Sequence, residues 1–561
     1  MPQEIFHSIA KKSGDNEYYT PVPDGYKIGK TKYIVIFGTV ISGLGKGIFA
    51  AALAKLLQDH GLNCSPIKFD GYLNIDAGTL NPYRHGEVFV LDDGTESDMD
   101  LGTYERFLDK NITQANYLTA GKLFSHILNR EREGKYLGRD VQFIPHVTGE
   151  IKGFIRNLAI KSEADVVLIE VGGTVGDIEN SYFIEAMREL RYEEGKDNVI
   201  FAALTYIIKP NALGEQKSKA AQLGLRQLMS LGIQPRMIAC RSETHVSEKV
   251  REKLSIYADI PVEKIISLHD VDSIYRVPQL LHEAKFDQIA IDMLKLNDRI
   301  HDISQENLEK WNKYINNLSN PSKIIKIGIT GKYTGLRDSY ASIIKSIEHS
   351  ATNLGIKVDI EWIDTTDSNI EEKIKHLNGI IVPGGFGKRG TEGKIKCIKY
   401  ARENNIPFLG LCLGFQMAVL DHARHVCNIP DACSTELDPQ GTSPVIDILP
   451  EQKEIEGFGG NMRLGGRYIE VKEGSLAHKC YKSTKIRERF RHRFEVNPKF
   501  IKTLEENNLI FSGKAPDQPI MQILERPDHK FFMASQFHPE YTSRPLKPNP
   551  MFLEFIKAAS N

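Results

Sequence analysis

The chain has 561 residues, of which 41% are hydrophobic, 26% charged and 9% aromatic. That is ordinary globular usage with ample apolar material for sizeable cores, and it excludes both a lone small module and global disorder. Lys and Arg number 72 against 73 Asp and Glu, a formal net charge of -1, so no overall field holds the chain on nucleic acid or an anionic membrane and any phosphate binding must be local.

The seven cysteines (Cys64, Cys240, Cys397, Cys412, Cys427, Cys433, Cys480) are odd in number, scattered and free of any C-x-x-C pair. This argues against a disulfide framework and a zinc knuckle, and the expected compartment is the reducing cytoplasm. A polar leader, residues 1–30, has no stretch fit for a signal-peptide core, and no apolar run approaches the ~20 residues a bilayer demands. A soluble protein with neither nucleic-acid nor membrane partners is expected.

After the leader, short β-branched runs alternate with helical spacing, the pattern of strand-helix-strand units feeding a parallel sheet. The first predicted strand, Tyr33–Phe37, runs into Gly38-Thr-Val-Ile-Ser42-Gly43-Leu44-Gly45-Lys46-Gly47-Ile48, and apolar residues at helical spacing then continue to His60 and stop at Gly61. Bare amides, a helix N-terminus and Lys46 make a local trap for phosphate. The loop is not a regular Walker A: Val40 stands where the first glycine belongs, and Gly47 replaces the Ser or Thr that would touch magnesium. Lys68, in an apolar strand-like context, either snorkels to solvent or neutralises charge on a nearby phosphate. Two carboxylates are candidates for Mg²⁺: Asp100, in Asp98-Met-Asp100, and Glu170, ending the predicted strand Val166–Glu170. A carboxylate where a parallel strand ends faces the crevice in which such sheets bind ligands. Further strands are expected at Val199–Thr205 and Met237–Cys240.

Residues 297–322 turn polar and end in an Asn-Pro turn signal, marking a linker between a domain at 31–296 and a second at 323–561. The second domain offers predicted strands at Ile324–Ile329, Val358–Ile363, Gly379–Pro383, Pro407–Leu411, Ile520–Leu524 and Phe531–Gln536. Gly410-Leu-Cys412-Leu-Gly414 follows a buried strand as a thiol version of a nucleophile elbow, where small flanking residues let the chain turn sharply and expose the sulfur. A free cysteine is ordinarily just a small buried hydrophobe. A base and its orienting acid are supplied by His538 and Glu540 in Gln536-Phe-His538-Pro-Glu540, and a glycine cluster, Pro383-Gly-Gly385-Phe-Gly387, offers amides to an oxyanion.

Together and in this order, PGGFG, GLCLG and QFHPE resemble the class I (triad) glutamine amidotransferase domain. The resemblance implies that Cys412 attacks the side-chain amide of glutamine to give a glutamyl thioester and ammonia, that His538 moves the protons and that Glu540 orients His538. It places the oxyanion on amides at Gly385 and Leu413 and the glutamine on Gln416, Glu436 and Arg493.

SGLGKGI, HGEVFV, DLGTYERF, GGTVGDIE, GEQKSKAAQ and DVDSIY then extend the resemblance, from about residue 31 to the C-terminus, to the CTP synthase family. Its first domain is a P-loop-like, dethiobiotin-synthetase-like amidoligase. The activity implied is ATP-dependent amination of UTP, in which ATP phosphorylates the C4 oxygen and ammonia displaces phosphate. Neutral ammonia implies an enclosed path. Gly43, Leu44, Gly45, Lys46, Gly47, Ile48 and Lys68 would contact ATP, and Asp100 and Glu170 would hold Mg²⁺. Ser42, Asp177, Ile178, Glu179, Lys217 and Gln222 match positions that bind UTP or the feedback inhibitor CTP. Arg389 and Glu392 are associated with activation by GTP, and a homotetramer, compatible with filament formation, is implied. Where the family has paired glycines and paired serines, this chain has Gly38-Thr39 and Ser42-Gly43. A cobyrinate-type amidase or an inactive scaffold paralogue are the alternatives.

Overall fold

The computed structural model describes residues 19–210, 214–331, 337–448, 462–516 and 518–561. Residues 1–18 of the leader fall outside them. The described residues form two compact units, one from the residues up to Thr79 and Thr103–Glu309, the other from Leu80–Gly102 and Lys310–Asn561.

The first unit is built on a seven-stranded parallel sheet in the order Tyr117–Thr119, Cys64–Asp70, Val166–Val171, Lys32–Gly38, Val199–Tyr206, Met237–Ser242, Ile265–His269. The predicted strands are present, each longer by a residue or two, and three further strands join them. Lys32–Gly38 sits centrally, pairing Ile36 with Glu170 on one side and Ala202 on the other. Every residue of Lys32–Gly38, Cys64–Asp70 and Val166–Val171 is buried, because helices cover both faces of such a sheet. On one face lie the helices Thr148–Lys161 and Ser181–Glu194; on the other, Lys46–Asp59 meets Phe286–Met293, with Phe49 edge-on to Phe286.

The end of the leader is docked on this unit. Tyr19 donates to Glu150 at 2.6 Å, Thr20 to Glu193 at 3.2 Å, and the Gly29 amide to Glu194 at 3.0 Å. Arg156, fully buried, binds Glu193 at 2.7 Å and Glu194 at 2.9 Å, so the charges of the two helices neutralise one another under the leader.

The polar stretch read as a linker contains a helix, Gln305–Ser319, whose Trp311, Tyr314 and Ile315 form a buried stripe at helical spacing. In the second unit a nine-stranded sheet runs Ile356–Asp364, Lys323–Gly331, Gly379–Val382, Phe408–Leu411, Phe532–Ser535, Met521–Glu525, Ile510–Lys514, Arg463–Val471, Lys485–His492. Its first five strands are parallel and the rest antiparallel. Alternation splits the core: Ile380, Val382 and Phe408 face the helices Thr391–Glu403 and Leu413–His425, whereas Ile381, Leu409 and Leu411 face Ala341–Asn353 and Pro550–Ser560.

An element that the sequence did not separate from the first domain belongs to this second unit. Within Leu80–Gly102 a short hairpin, Phe89–Val90 with Glu96–Ser97, lies along the strand Lys485–His492. Arg489 donates to the Val90 carbonyl at 3.1 Å, Arg487 pairs with Asp92 at 2.8 Å, and Arg491 pairs with Glu96 at 2.6 Å.

Candidate active site

Cys412 follows directly on the strand Phe408–Leu411 and precedes the helix Leu413–His425. Its backbone sits at φ 51°, ψ -101°, a conformation that costs an L-residue of order 1–3 kcal/mol and persists only where its surroundings enforce it. Here they do: the Cys412 amide donates to Ser535 at 2.8 Å, and behind the turn Gly414 lies so close to Val382 that an added Cβ would sit 2.0 Å from that residue's carbonyl oxygen. The elbow read from the sequence is therefore formed. Its thiol is buried, donates to the Arg491 carbonyl at 3.7 Å and receives Gln536 Nε2 at 3.8 Å.

Phe408–Leu411 and Phe532–Ser535 are parallel neighbours, with Leu411 opposite Ser535, so what leaves their carboxyl ends comes out side by side. His538 is thereby brought to Cys412: a Cβ added to Gly384 would lie 3.2 Å from His538 Cε1 and 3.4 Å from Cys412 Cβ, so both face the same point of the glycine loop. His538 Nδ1 and Glu540 Oε1 are 2.7 Å apart, which fixes the ring and leaves Nε2 buried without a hydrogen bond. Burial pulls the imidazole down, but the charge and hydrogen bond of Glu540, with the charge of the adjacent Cys412, outweigh it and push His538 up to about 10. In contrast, burial pushes the thiols of Cys64, Cys240, Cys397 and Cys480 up to about 12, as expected of cysteines that only fill space.

Tyr541, which sequence reasoning passed over, stacks on His538 with ring centroids 5.0 Å apart and 13° between planes. Its hydroxyl donates to the Val88 carbonyl at 3.1 Å and its edge meets Phe89, so the Leu80–Gly102 excursion backs the histidine from behind. The signal was the apolar run HGEVFV, whose partner lies more than 450 residues along the chain.

The side chains expected to hold glutamine differ in setting. Gln416 is buried and donates to the Phe494 carbonyl at 3.1 Å, yet its Oε1 has no partner, and Arg493 Nε is likewise buried and unsatisfied. Buried polar atoms without partners are costly, and a polar ligand supplies what they lack. Glu436 accepts the Gly387 amide at 3.0 Å and so tethers the PGGFG loop next to Gly385. Leu413 opens the helix, with its amide at the positive end. Arg389 is exposed, its charge helping to hold Asp364 low after the hydrogen bonds from Thr366, and Glu392 pairs with Arg424 at 3.1 Å on the surface.

In the first unit the carboxyl ends of Lys32–Gly38, Cys64–Asp70 and Val166–Val171 converge. Val40 adopts φ 75°, the left-handed conformation that its missing glycine would take freely, so the phosphate-loop path is kept at a strain of about 1–2 kcal/mol. Gly43 and Gly45 follow at φ 74° and 77°, and Lys46 opens the helix, its Nζ donating to the Gly173 carbonyl at 2.8 Å. Gly47 and Ile48 continue the first turn, with Leu44 buried beneath it. Lys68 is directly opposite Glu170 in the parallel register, its Nζ 3.9 Å from Asp70. Glu170 is buried and receives the Tyr104 hydroxyl.

Asp177 accepts the Thr174 amide at 2.7 Å in the adjoining loop, Ile178 is 84% exposed, and Glu179 follows it. The exposed Ser42 lies in the phosphate loop. Lys217 pairs with Glu215 at 2.9 Å on the surface, and Gln222 donates to Ser218 at 3.3 Å. The helix Lys219–Ser230 that carries Gln222 reaches the phosphate loop through Gly224, against which Thr39 is packed. In the second unit, Asp100 lies in the first turn of Met99–Leu108, its amide bonded to Asp98 at 2.9 Å.

The comparisons agree with this geometry. The family model described as CTP synthase N-terminus matches residues 32–296, and that described as glutamine amidotransferase class-I matches residues 336–558. A buried Cys-His-Glu set on an α/β sheet, in one chain with a parallel-sheet phosphate-loop unit, thus defines a glutamine amidotransferase joined to a synthetase domain. The CTP synthase of Pyrococcus furiosus is 47% identical over 532 residues, covering 94% of this chain and 98% of its own. That of Staphylococcus epidermidis is 46% identical over 534 residues, covering 95% and 99%. A solved Trypanosoma brucei CTPS glutaminase domain with bound acivicin is 35% identical, covers 42% of this chain and 94% of its own, and has a TM-score of 0.40. The chain belongs to the CTP synthase family. No helix among the described residues is long and apolar enough to cross a membrane.

Proposed function

We propose that the protein makes CTP from UTP, ATP and L-glutamine. The observation that carries this reading is a Cys412 elbow beside a His538–Glu540 pair in a chain that matches CTP synthases over 94% of its length. Cys412 attacks the glutamine side-chain amide, the oxyanion rests on the amides of Gly385 and Leu413, and His538 delivers the proton that lets ammonia leave. Water then releases glutamate from the thioester. Gln416, Glu436 and Arg493 hold the glutamine; the unsatisfied buried atoms of Gln416 and Arg493 support that role.

In the synthetase half, the loop Gly43–Ile48 with Lys46 and Lys68 receives ATP, whose γ-phosphoryl group passes to the C4 oxygen of UTP; ammonia displaces the phosphate, giving CTP. Ser42, Asp177, Ile178, Glu179, Lys217 and Gln222 bind UTP, or CTP as feedback inhibitor. The exposure of Ile178 and Lys217 in one chain suits nucleotide sites completed within a homotetramer. Mg²⁺, when bound, neutralises charge on the transferred phosphoryl group. Glu170, a buried carboxylate opposite Lys68, fits a hard cation, and Asp100 is the second carboxylate assigned to it. Among the described residues no cluster of three or more His, Cys, Asp or Glu is set to hold a metal by itself. Arg389 and Glu392 respond to GTP, and the enzyme works in the cytoplasm.

The test is product analysis with UTP, ATP, Mg²⁺ and glutamine, with and without GTP. CTP is expected, faster with GTP, and lost on chelation of the metal. Cys412→Ala removes glutamine-driven synthesis and spares that driven by added ammonia; loss or survival of both refutes the division of labour.

A further inference from the structure

One buried carboxylate of the second unit has no part in the chemistry above. Glu488 lies in the strand Lys485–His492, is 3% exposed, and gathers donors from three other segments. Its Oε1 accepts the Tyr481 hydroxyl, at the end of the helix Leu476–Tyr481, at 2.8 Å, and Asn549 Nδ2 at 2.8 Å. Asn549 caps the final helix through Oδ1, 3.0 Å from the Met551 amide. Glu488 Oε2 accepts the Thr542 hydroxyl at 2.7 Å. Thr542 closes the short turn Pro539–Tyr541, which carries Glu540, and the carbonyl of Arg489, the residue after Glu488, accepts the His538 amide at 2.8 Å.

We infer that Glu488 is a positioning residue for glutamine hydrolysis, fixing through Thr542 the turn that holds Glu540 behind His538. The inference rests on the assignment of Cys412, His538 and Glu540. The Thr542 hydroxyl has one proton and two acceptors, Glu488 Oε2 at 2.7 Å and the Pro539 carbonyl at 3.1 Å. With Glu488 ionised, the proton points to it and the Pro539 carbonyl keeps only the Thr542 amide at 3.3 Å. With Glu488 protonated, the carboxyl donates to Thr542 Oγ1 and the hydroxyl turns to Pro539, tightening the catalytic turn. Burial pushes the Glu488 carboxyl up to about 7, against the hydrogen bonds from Thr542, Tyr481 and Asn549 and the charge of Arg489, so both arrangements are populated near neutrality. The titratable and charged groups around it include Arg489 from its own strand, Arg467 opposite it on the neighbouring strand Arg463–Val471, and Tyr481 from the packed helix; burial holds the Tyr481 hydroxyl well above its ordinary range, so it remains a donor.

Two variants of the full chain test this. Glu488→Gln keeps the shape but offers Thr542 an amide donor, locking the hydroxyl onto Pro539; Thr542→Val removes the hydroxyl at nearly constant volume. Glutamine-driven and ammonia-driven CTP formation are measured against pH. The expected result is a change in glutamine-driven kcat of about tenfold above neutrality, with KM for glutamine within about twofold, and loss of the kcat ionisation near neutral pH that is expected of the unaltered protein. Ammonia-driven synthesis stays unchanged. Wild-type kcat and pH profile in both variants overturns the inference, as does an equal loss of both activities in Thr542→Val. Should Glu488→Gln fail to fold, Thr542→Val decides alone. Cys412→Ala separates the two levels: if it retains glutamine-driven synthesis, the triad assignment itself is wrong.

Discussion

Replacing Glu540 by Gln keeps an acceptor of the same shape for His538 Nδ1, 2.7 Å away, and removes only the charge. His538 is raised from 6.5 to about 10, and at about 1.4 kcal/mol for each pH unit the buried imidazolium is favoured by about 5 kcal/mol. Cys412 shares in producing the shift, and the loss of one buried charge-assisted hydrogen-bond partner is worth about 1.5–3 kcal/mol, so a loss of about 2–3 kcal/mol is expected with the Glu540 charge. That corresponds to a fall of about 10²-fold in glutamine-driven kcat/KM. The sign of the pH effect follows from the folded value lying above the unfolded one. Stabilisation by the pair is complete below pH 6.5 and is lost as pH rises through about 10. In Glu540→Gln burial still favours the neutral ring while the opposing carboxylate is gone, so the alkaline loss moves toward neutrality. The assay compares variant and parent, for glutamine-driven and ammonia-driven CTP formation, from about pH 6 to about pH 10. A variant with the parent's rate and an unmoved alkaline limb refutes the argument that Glu540 holds the proton on His538.

Gly414→Ala places a methyl 2.0 Å from the Val382 carbonyl oxygen and displaces the helix behind the nucleophile; a stability loss of about 3 kcal/mol, read by urea unfolding, accompanies loss of glutamine-driven synthesis. An unperturbed midpoint refutes the close approach. Arg156→Met leaves Glu193 and the fully buried Glu194 without their shared cation, and unfolding should show about 3–5 kcal/mol lost, part of it regained in Arg156→Met with Glu194→Gln. If the single variant unfolds like the parent, the cluster is not what holds the leader and the two helices together.

Much of this site was legible from local spacing. A buried strand followed by glycines around Cys412, a histidine and a carboxylate two residues apart, and a glycine loop between a strand and a helix each declare themselves within a dozen residues, because turns and caps are short-range events. The same reasoning placed Val40 in a glycine's position, but only the folded loop reveals that valine takes up the left-handed backbone there.

Sequence alone determined the repertoire: two α/β regions, a cysteine elbow, a histidine and a carboxylate two residues apart, a glycine loop between a strand and a helix, and a family. Tertiary structure decided which strands become neighbours, and hence that Cys412 and His538 leave the carboxyl ends of two adjacent strands side by side. It also assigned the Leu80–Gly102 excursion to the second unit and turned Glu488, one charge in the run RERFRHRF, inward among three donors. The reason is physical: the inward or outward fate of a polar side chain on a strand depends on partners from distant segments, and no local pattern encodes a contact such as that between Arg489 and Val90, 399 residues apart.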